Sequence, residues 1–218
     1  MSQVFPPGAN WIVKWTFIGG GTTAAVLCAV ATGIYWGPPL TTVGLFKQQP
    51  IPFSHFRHVS GNGIDCRYCH TTVETSSFAG IPPTETCMTC HSQILTDQTM
   101  LSPVRDSWRN GDHLEWIRVS DLPDFVYFDH SIHINRGVGC STCHGRVDLM
   151  PLTRKAESFH MSWCLRCHRH PEKFIRERDE VFIMDWEPPS NQIELGKELI
   201  KKYNIEVGQL TNCSICHR

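Results

Sequence analysis

The stretch Phe53-Ser-His55-Phe-Arg-His58, followed after a short Gly-containing turn by Cys66-Arg-Tyr-Cys69-His70, decides how this chain is read. The same pattern returns as Phe128-Asp-His130-Ser-Ile-His133, leading into Cys140-Ser-Thr-Cys143-His144. Each copy is trailed by a second C-x-x-C-H, with Cys87, Cys90 and His91 in the first and Cys164, Cys167 and His168 in the second. A fifth, made by Cys213, Cys216 and His217, lies one residue before the end. Two thiols three positions apart can each form a thioether to a vinyl group of one porphyrin. The adjacent His then reaches the iron from the same side, so C-x-x-C-H is an attachment pattern for covalent haem. The motifs use ten of the eleven cysteines and leave only Cys28. Five covalently bound haem c groups are expected.

Other uses of C-x-x-C fit less well. Structural zinc does not require a His directly after the second Cys in every pair. A thioredoxin-like motif would occur once, beside a βαβ pattern. A disulfide framework would leave the five following histidines unexplained.

Composition sets further bounds. With 20 Lys and Arg against 21 Asp and Glu, the formal net charge is −1, and no basic run points to nucleic acid. Two propionates per haem would make the loaded protein more acidic still. About one haem per 33 residues leaves too little chain for an independent protein core around each group. The porphyrins must themselves be the core. The expected fold is a multihaem cytochrome c, with few short helices, mostly loops wrapped around haems, and one N-terminal transmembrane helix.

That helix is read from Trp15–Trp36, 22 residues without a charge, enough to cross a bilayer. Trp11, Trp15, Tyr35 and Trp36 lie at its ends, where amphipathic rings favour the interface. The run is long for a signal-peptide core, and Trp36-Gly-Pro-Pro lacks a small-x-small cleavage site. Haem attachment normally occurs outside the cytoplasm. The reading is therefore a single-pass membrane anchor with the haem domain on the periplasmic side.

The chain divides into an N-terminal segment (1–10, with Asn10 as a helix cap), the anchor (11–36), a linker (37–52), a first dihaem module (53–100), a connector (101–127), a second dihaem module (128–172) and a C-terminal segment carrying the fifth haem (173–218). In that last segment, residues 173–180 read as a short exposed helix, and Asn191-Gln-Ile-Glu194 as a capping box opening another. The leading cysteines of the two modules' motifs are 21 and 24 residues apart, consistent with internal duplication.

His70, His91, His144, His168 and His217 are proximal iron ligands by position. An electron-transfer haem has both axial positions filled. The two F-x-H-x-x-H units offer His55, His58, His130 and His133 as distal ligands; the three-residue spacing puts each pair on one helical face or aims it at two neighbouring haems, and does not serve one iron twice. The fifth distal ligand is one of Met150, Met161 and His113; a thioether there would raise that haem's potential.

Together F-S-H-x-x-H, G-I-D-C-R-Y-C-H, S-S-F-A-G-I-P-P-T-E-T-C-M-x-C-H, D-F-V-Y-F-x-H-S-I-H and M-x-W-C-L-x-C-H-R resemble the pentahaem cytochrome c subunit of alternative complex III, whose modules are related to class III (c7-type) multihaem cytochromes. The resemblance spans about residues 53–172 and the anchor. It implies an electron-transfer subunit of a membrane quinol oxidoreductase, with no catalytic site on this chain. It further implies an iron–sulfur subunit related to molybdopterin oxidoreductases, polytopic quinol-binding subunits, and a monohaem cytochrome c or soluble acceptor as partners, and one His/Met-ligated haem. The chain departs from that family in carrying Ser120-Asp121 where a His-Asp pair is expected, and an additional His113. Competing classes are a stand-alone membrane-anchored quinol dehydrogenase cytochrome and a multihaem reductase with one open haem.

Overall fold

The computed structural model describes residues 4–217, which fall into two compact units divided between Val43 and Gly44. The first is built on one helix, Ala9–Trp36, 28 residues long with no buried side chain. At 1.5 Å per residue it measures about 42 Å, longer than the hydrocarbon layer it would cross. Thr16, Thr22 and Thr32 turn their hydroxyls back onto carbonyls four residues earlier, at 2.9, 2.9 and 2.7 Å. Their polar atoms are thus satisfied inside the helix, as an apolar surrounding demands. The helix is long and apolar enough to span a membrane. Asn10 lies inside it rather than capping it; Gly8 occupies the cap position without a side-chain hydrogen bond.

The second unit consists of short helices and loops. Among the described residues there is no β-strand, only two isolated bridges, Phe46 with Arg154 and Val138 with Ile175. Each C-x-x-C-H motif forms or lies within a short helix: Cys66–Cys69, Thr84–His91, Cys140–His144, Met161–Arg169 and Cys213–Cys216. The apolar core is thin. Two small clusters hold it, one of Val73, Ile134 and Val181, the other of Ile175, Leu199 and Tyr203.

Within the segment read as a linker, the Gly44 amide donates to the Lys155 carbonyl at 2.9 Å, and Lys47 Nζ to the Arg118 carbonyl at 2.7 Å. Two expectations require correction. Residues 173–180 are not an exposed helix. Two 3-10 turns, Pro171–Lys173 and Arg178–Glu180, flank an extended pair in which Ile175 and Arg176 are 1% and 2% exposed. That pair is held by the Arg176 amide on the Gly137 carbonyl at 2.8 Å, a tertiary contact with no local signature. The helix Gln192–Lys202 does form, but Asn191 makes no side-chain cap. Gln192 anchors it instead, donating from Nε2 to the carbonyls of Glu172 and Ile175 at 3.0 and 2.8 Å.

Candidate haem-attachment site

The two F-x-H-x-x-H stretches fold alike. In each, the residue before the first His caps the turn: Ser54 Oγ accepts from the Arg57 amide at 3.3 Å and Asp129 Oδ1 from the Ile132 amide at 3.2 Å. Each leading Phe lies flat on the second His and edge-on to the first. Phe53 is 4.4 Å from His58 at 26° and 4.9 Å from His55 at 88°. Phe128 is 4.5 Å from His133 at 26° and 4.7 Å from His130 at 89°. Phe therefore sets both imidazole planes, a role the sequence signals only by placing Phe two residues before each pair. One difference remains: Phe56–Ser60 is a π-helical turn, whereas His130–Asn135 is α-helical.

These turns aim their histidines at the C-x-x-C-H histidines. The His130 and His144 rings are 6.4 Å apart, centroid to centroid, with planes 4° from parallel. His133 faces His168 at 6.2 Å and His58 faces His91 at 6.2 Å. His55 lies in electrostatic range of His70. A metal–nitrogen bond of about 2.0 Å on each side, plus about 1.1 Å from each nitrogen to its ring centre, requires about 6.2 Å between two imidazoles sharing one metal. The spacing of the His58–His91, His130–His144 and His133–His168 pairs fits one iron each.

Hydrogen bonds place the nitrogens accordingly. Nδ1 meets a backbone carbonyl in His58 (Ser54, 2.8 Å), His70 (Gly80, 2.6 Å), His130 (Ser77, 2.9 Å), His133 (Asp129, 2.7 Å), His168 (Leu210, 2.8 Å) and His217 (Phe125, 3.1 Å). A carbonyl only accepts, so Nδ1 carries the proton and Nε2 presents its lone pair. Burial, then the neighbouring His70, His58 and His144, pushes His55 down to about 4. Burial, then His130 and His70, does the same to His144. Both imidazoles are neutral at pH 7, the form that ligates metal. Burial holds the Cys140 and Cys143 thiols up at about 12, which favours neutral sulfur over a metal-binding thiolate. Among the described residues no group of three or more His, Cys, Asp or Glu side chains is arranged to hold a bare metal ion. The residues suit haem.

The motifs adjoin one another in an order unlike their order in the chain. Tyr68 and Thr89, from the first and second, hydrogen-bond at 2.9 Å, and Cys69 lies in electrostatic range of Cys87. Cys66 and His70 of the first lie in such range of Cys140 and His144 of the third. Cys143 neighbours Cys167 and Cys164 of the fourth, and Cys164 neighbours Cys216 of the fifth. The Tyr127 amide donates to the Cys216 carbonyl at 2.8 Å, and Phe125 lies 5.9 Å from His217.

The three candidates for a fifth distal ligand are scattered. Met150 is 7% exposed, and its carbonyl accepts from the Phe56 amide at 3.1 Å, between the two modules. His113 lines a cleft with Pro83, Glu85 and Trp108, beside the helix of the second motif. Met161 opens the helix that carries Cys164 and is 63% exposed.

Comparison with known proteins agrees with this architecture. Residues 126–218, which hold the last three motifs, match the family described as cytochrome c7 and related cytochrome c. Over 99 residues the chain is 39% identical to the menaquinone reductase multihaem cytochrome c subunit of Nitratidesulfovibrio vulgaris (strain Hildenborough). That alignment covers 45% of this chain and 46% of the relative, so the chain spans about half the length of the curated relative it matches. The short helices and loops of residues 126–218 are thus similar in sequence to c7-type cytochromes, and the chain carries one apolar N-terminal helix.

Proposed function

We propose that the chain is a membrane-anchored pentahaem cytochrome c that relays electrons between quinol oxidation in a membrane complex, alternative complex III, and a periplasmic acceptor. The imidazole pairs carry this reading, above all His130 and His144, parallel within 4° at 6.4 Å. Bound at the five motifs, haem supplies one-electron carriers; the chain's residues hold, orient and shield them. Cys66 and Cys69, Cys87 and Cys90, Cys140 and Cys143, Cys164 and Cys167, and Cys213 and Cys216 attach the five groups. His55 with His70, His58 with His91, His130 with His144, and His133 with His168 fill four pairs of axial positions. His217 takes the fifth proximal position.

Opposite His217 we place Met161. It stands one helical turn before Cys164, which neighbours Cys216 of the fifth motif. The Met150 carbonyl joins the two modules and its side chain is buried beside Gly145, next to the third motif, whereas His113 lies beside the second. The adjacency of the motifs gives the relay the order second, first, third, fourth, fifth, with its ports at Cys87–His91 and Cys213–His217.

Within the complex, the partners in this reading are an iron–sulfur subunit related to molybdopterin oxidoreductases, polytopic quinol-binding subunits, and a monohaem cytochrome c or soluble acceptor. The relative's name, a menaquinone reductase subunit, favours a second direction: the same relay delivering electrons to menaquinone. Low-temperature EPR and near-infrared magnetic circular dichroism of the oxidised membrane complex test the site. Four bis-His signals and one His/Met band are expected, and a stoichiometric high-spin haem would overturn the closed relay in favour of a reductase. Direction is read from whether the complex turns over with a reduced quinol or with a reduced cytochrome.

A further inference from the structure

Arg176 is 2% exposed, yet it forms none of the ion pairs among the described residues. Its guanidinium lies against the third motif. Nη2 reaches Thr142 Oγ1, between the two cysteines, and Nη1 the Ile183 carbonyl, both at a long 3.3 Å. Gly139, directly before Cys140, permits this approach, since a Cβ there would fall on the guanidinium itself. Nε is buried with no hydrogen-bond partner. The Trp186 ring covers the cation at 3.9 Å, and that ring is held by its own Nε1 donating to Glu180 Oε2 at 3.1 Å. Glu180, the carboxylate in electrostatic range of the guanidinium, makes no direct ion pair with it and accepts from Trp186 instead, while Asp65 is held in a two-point pair with Arg67 at 2.9 Å on each arm.

A buried guanidinium stays charged, and a desolvated cation acts strongly on its neighbours because little water screens it. An added electron on an adjacent group is favoured by that positive field. Resting on the reading that Cys140, Cys143 and His144 carry a haem, we infer that Arg176 is a positioning residue for electrons, raising the reduction potential of the group at the third motif. That motif stands in the middle of the relay, so Arg176 sets the level through which electrons from either port must pass.

The test uses the full-length holoprotein in three forms: wild type, Arg176→Gln and Arg176→Lys, with Arg176→Met as a second neutral variant should Gln not fold. Each is titrated in a His130→Ala background, where the third-motif haem alone becomes high-spin and its EPR signal reports its own midpoint. The neutral variants are expected to titrate at lower potential, while Lys stays near wild type. An unchanged midpoint in the neutral variants overturns the inference. Equal lowering by Lys and Gln overturns it too, because both disturb the packing and only one removes the charge. Mass spectrometry of the tryptic fragment with Cys140 and Cys143 is read independently. A fragment without haem sinks the underlying assignment and this inference with it, whereas a loaded fragment with an unmoved midpoint sinks this inference alone.

Discussion

Ser60 donates its hydroxyl to the carbonyl of Asp148 at 2.8 Å. Ser60 follows the first His of its module by five residues, and Asp148 follows the leading Cys of the other module's first motif by eight. Asn135 and Glu74 occupy the matching positions in the opposite sense, and Asn135 Nδ2 donates to the Glu74 carbonyl at 2.9 Å. One residue after each leading His, the Phe56 amide donates to the Met150 carbonyl at 3.1 Å and the Ser131 amide to the Ser76 carbonyl at 3.1 Å. Each module's histidine pair is thus held by the loop behind the other module's first motif. The two halves are joined by a reciprocal exchange centred on the first and third motifs.

Removing one arm of the exchange has a defined cost. Asn135→Ala loses this hydrogen bond, of about 1 kcal/mol, together with the Nδ2 bond to the Ser131 carbonyl of its own helix, lowering the holoprotein's thermal midpoint by at least roughly 2–4 °C. Thermal unfolding followed by visible circular dichroism checks this, and an unchanged midpoint would show that the exchange contributes nothing.

The C-terminal helix offers a steric test. Gly196 packs so tightly on Glu172 that an added Cβ would meet that residue's carbonyl and its Cα, both backbone atoms unable to swing away. Gly196→Ala forces the helix Gln192–Lys202 off the turn Pro171–Lys173 and costs about 1–3 kcal/mol, against about 0.8–1 kcal/mol gained from helix propensity. Chemical denaturation should show the lower midpoint with Gly196→Ala and no comparable loss with Gly208→Ala, where an added Cβ meets nothing.

Axial pairing is tested by subtraction. His133→Ala should create one high-spin haem, and combining it with Cys164→Ala and Cys167→Ala should abolish that signal by removing the haem His133 faces. Persistence of the signal would assign His133 to another motif. His58→Ala should behave likewise with Cys87→Ala and Cys90→Ala.

The fifth distal position separates the two methionines. Met161→Leu should remove the His/Met charge-transfer band from the near-infrared dichroism and leave four bis-His haems. Met150→Leu should keep it, with a modest stability loss of at most about 1.5 kcal/mol for a volume-conserving change at a buried site. The reverse outcome would return the ligand to Met150.

What could be read in the sequence was what chemistry fixes locally. A thioether pair with its ligand needs five consecutive residues, and two histidines for adjacent irons need a single turn, so both appear as spacing. The anchor shows itself because a bilayer demands a length and a composition. What stayed hidden depends on partners far along the chain. His55 meets Thr153 and His130 meets Ser77 across separations of 98 and 53 residues. Ile175 and Arg176 lie in a stretch, KFIRERDE, whose charges look solvated, yet they are buried because Gly137 and Val138 pair with them. Asn191 and Glu194 imitate a capping box, while Gln192 between them makes the contacts that seat the helix.

The exchange between modules also governs the protein's birth. Chains are made from the N-terminus, so His55 and His58 emerge well before residues 148–153 that brace them. Until the third motif and its loop follow, the first module can be given its haems but not its finished ligand cage. Truncation before residue 148 would therefore yield a cytochrome with covalent haem and loosely held iron, and maturation of the two halves becomes a single event rather than two successive ones.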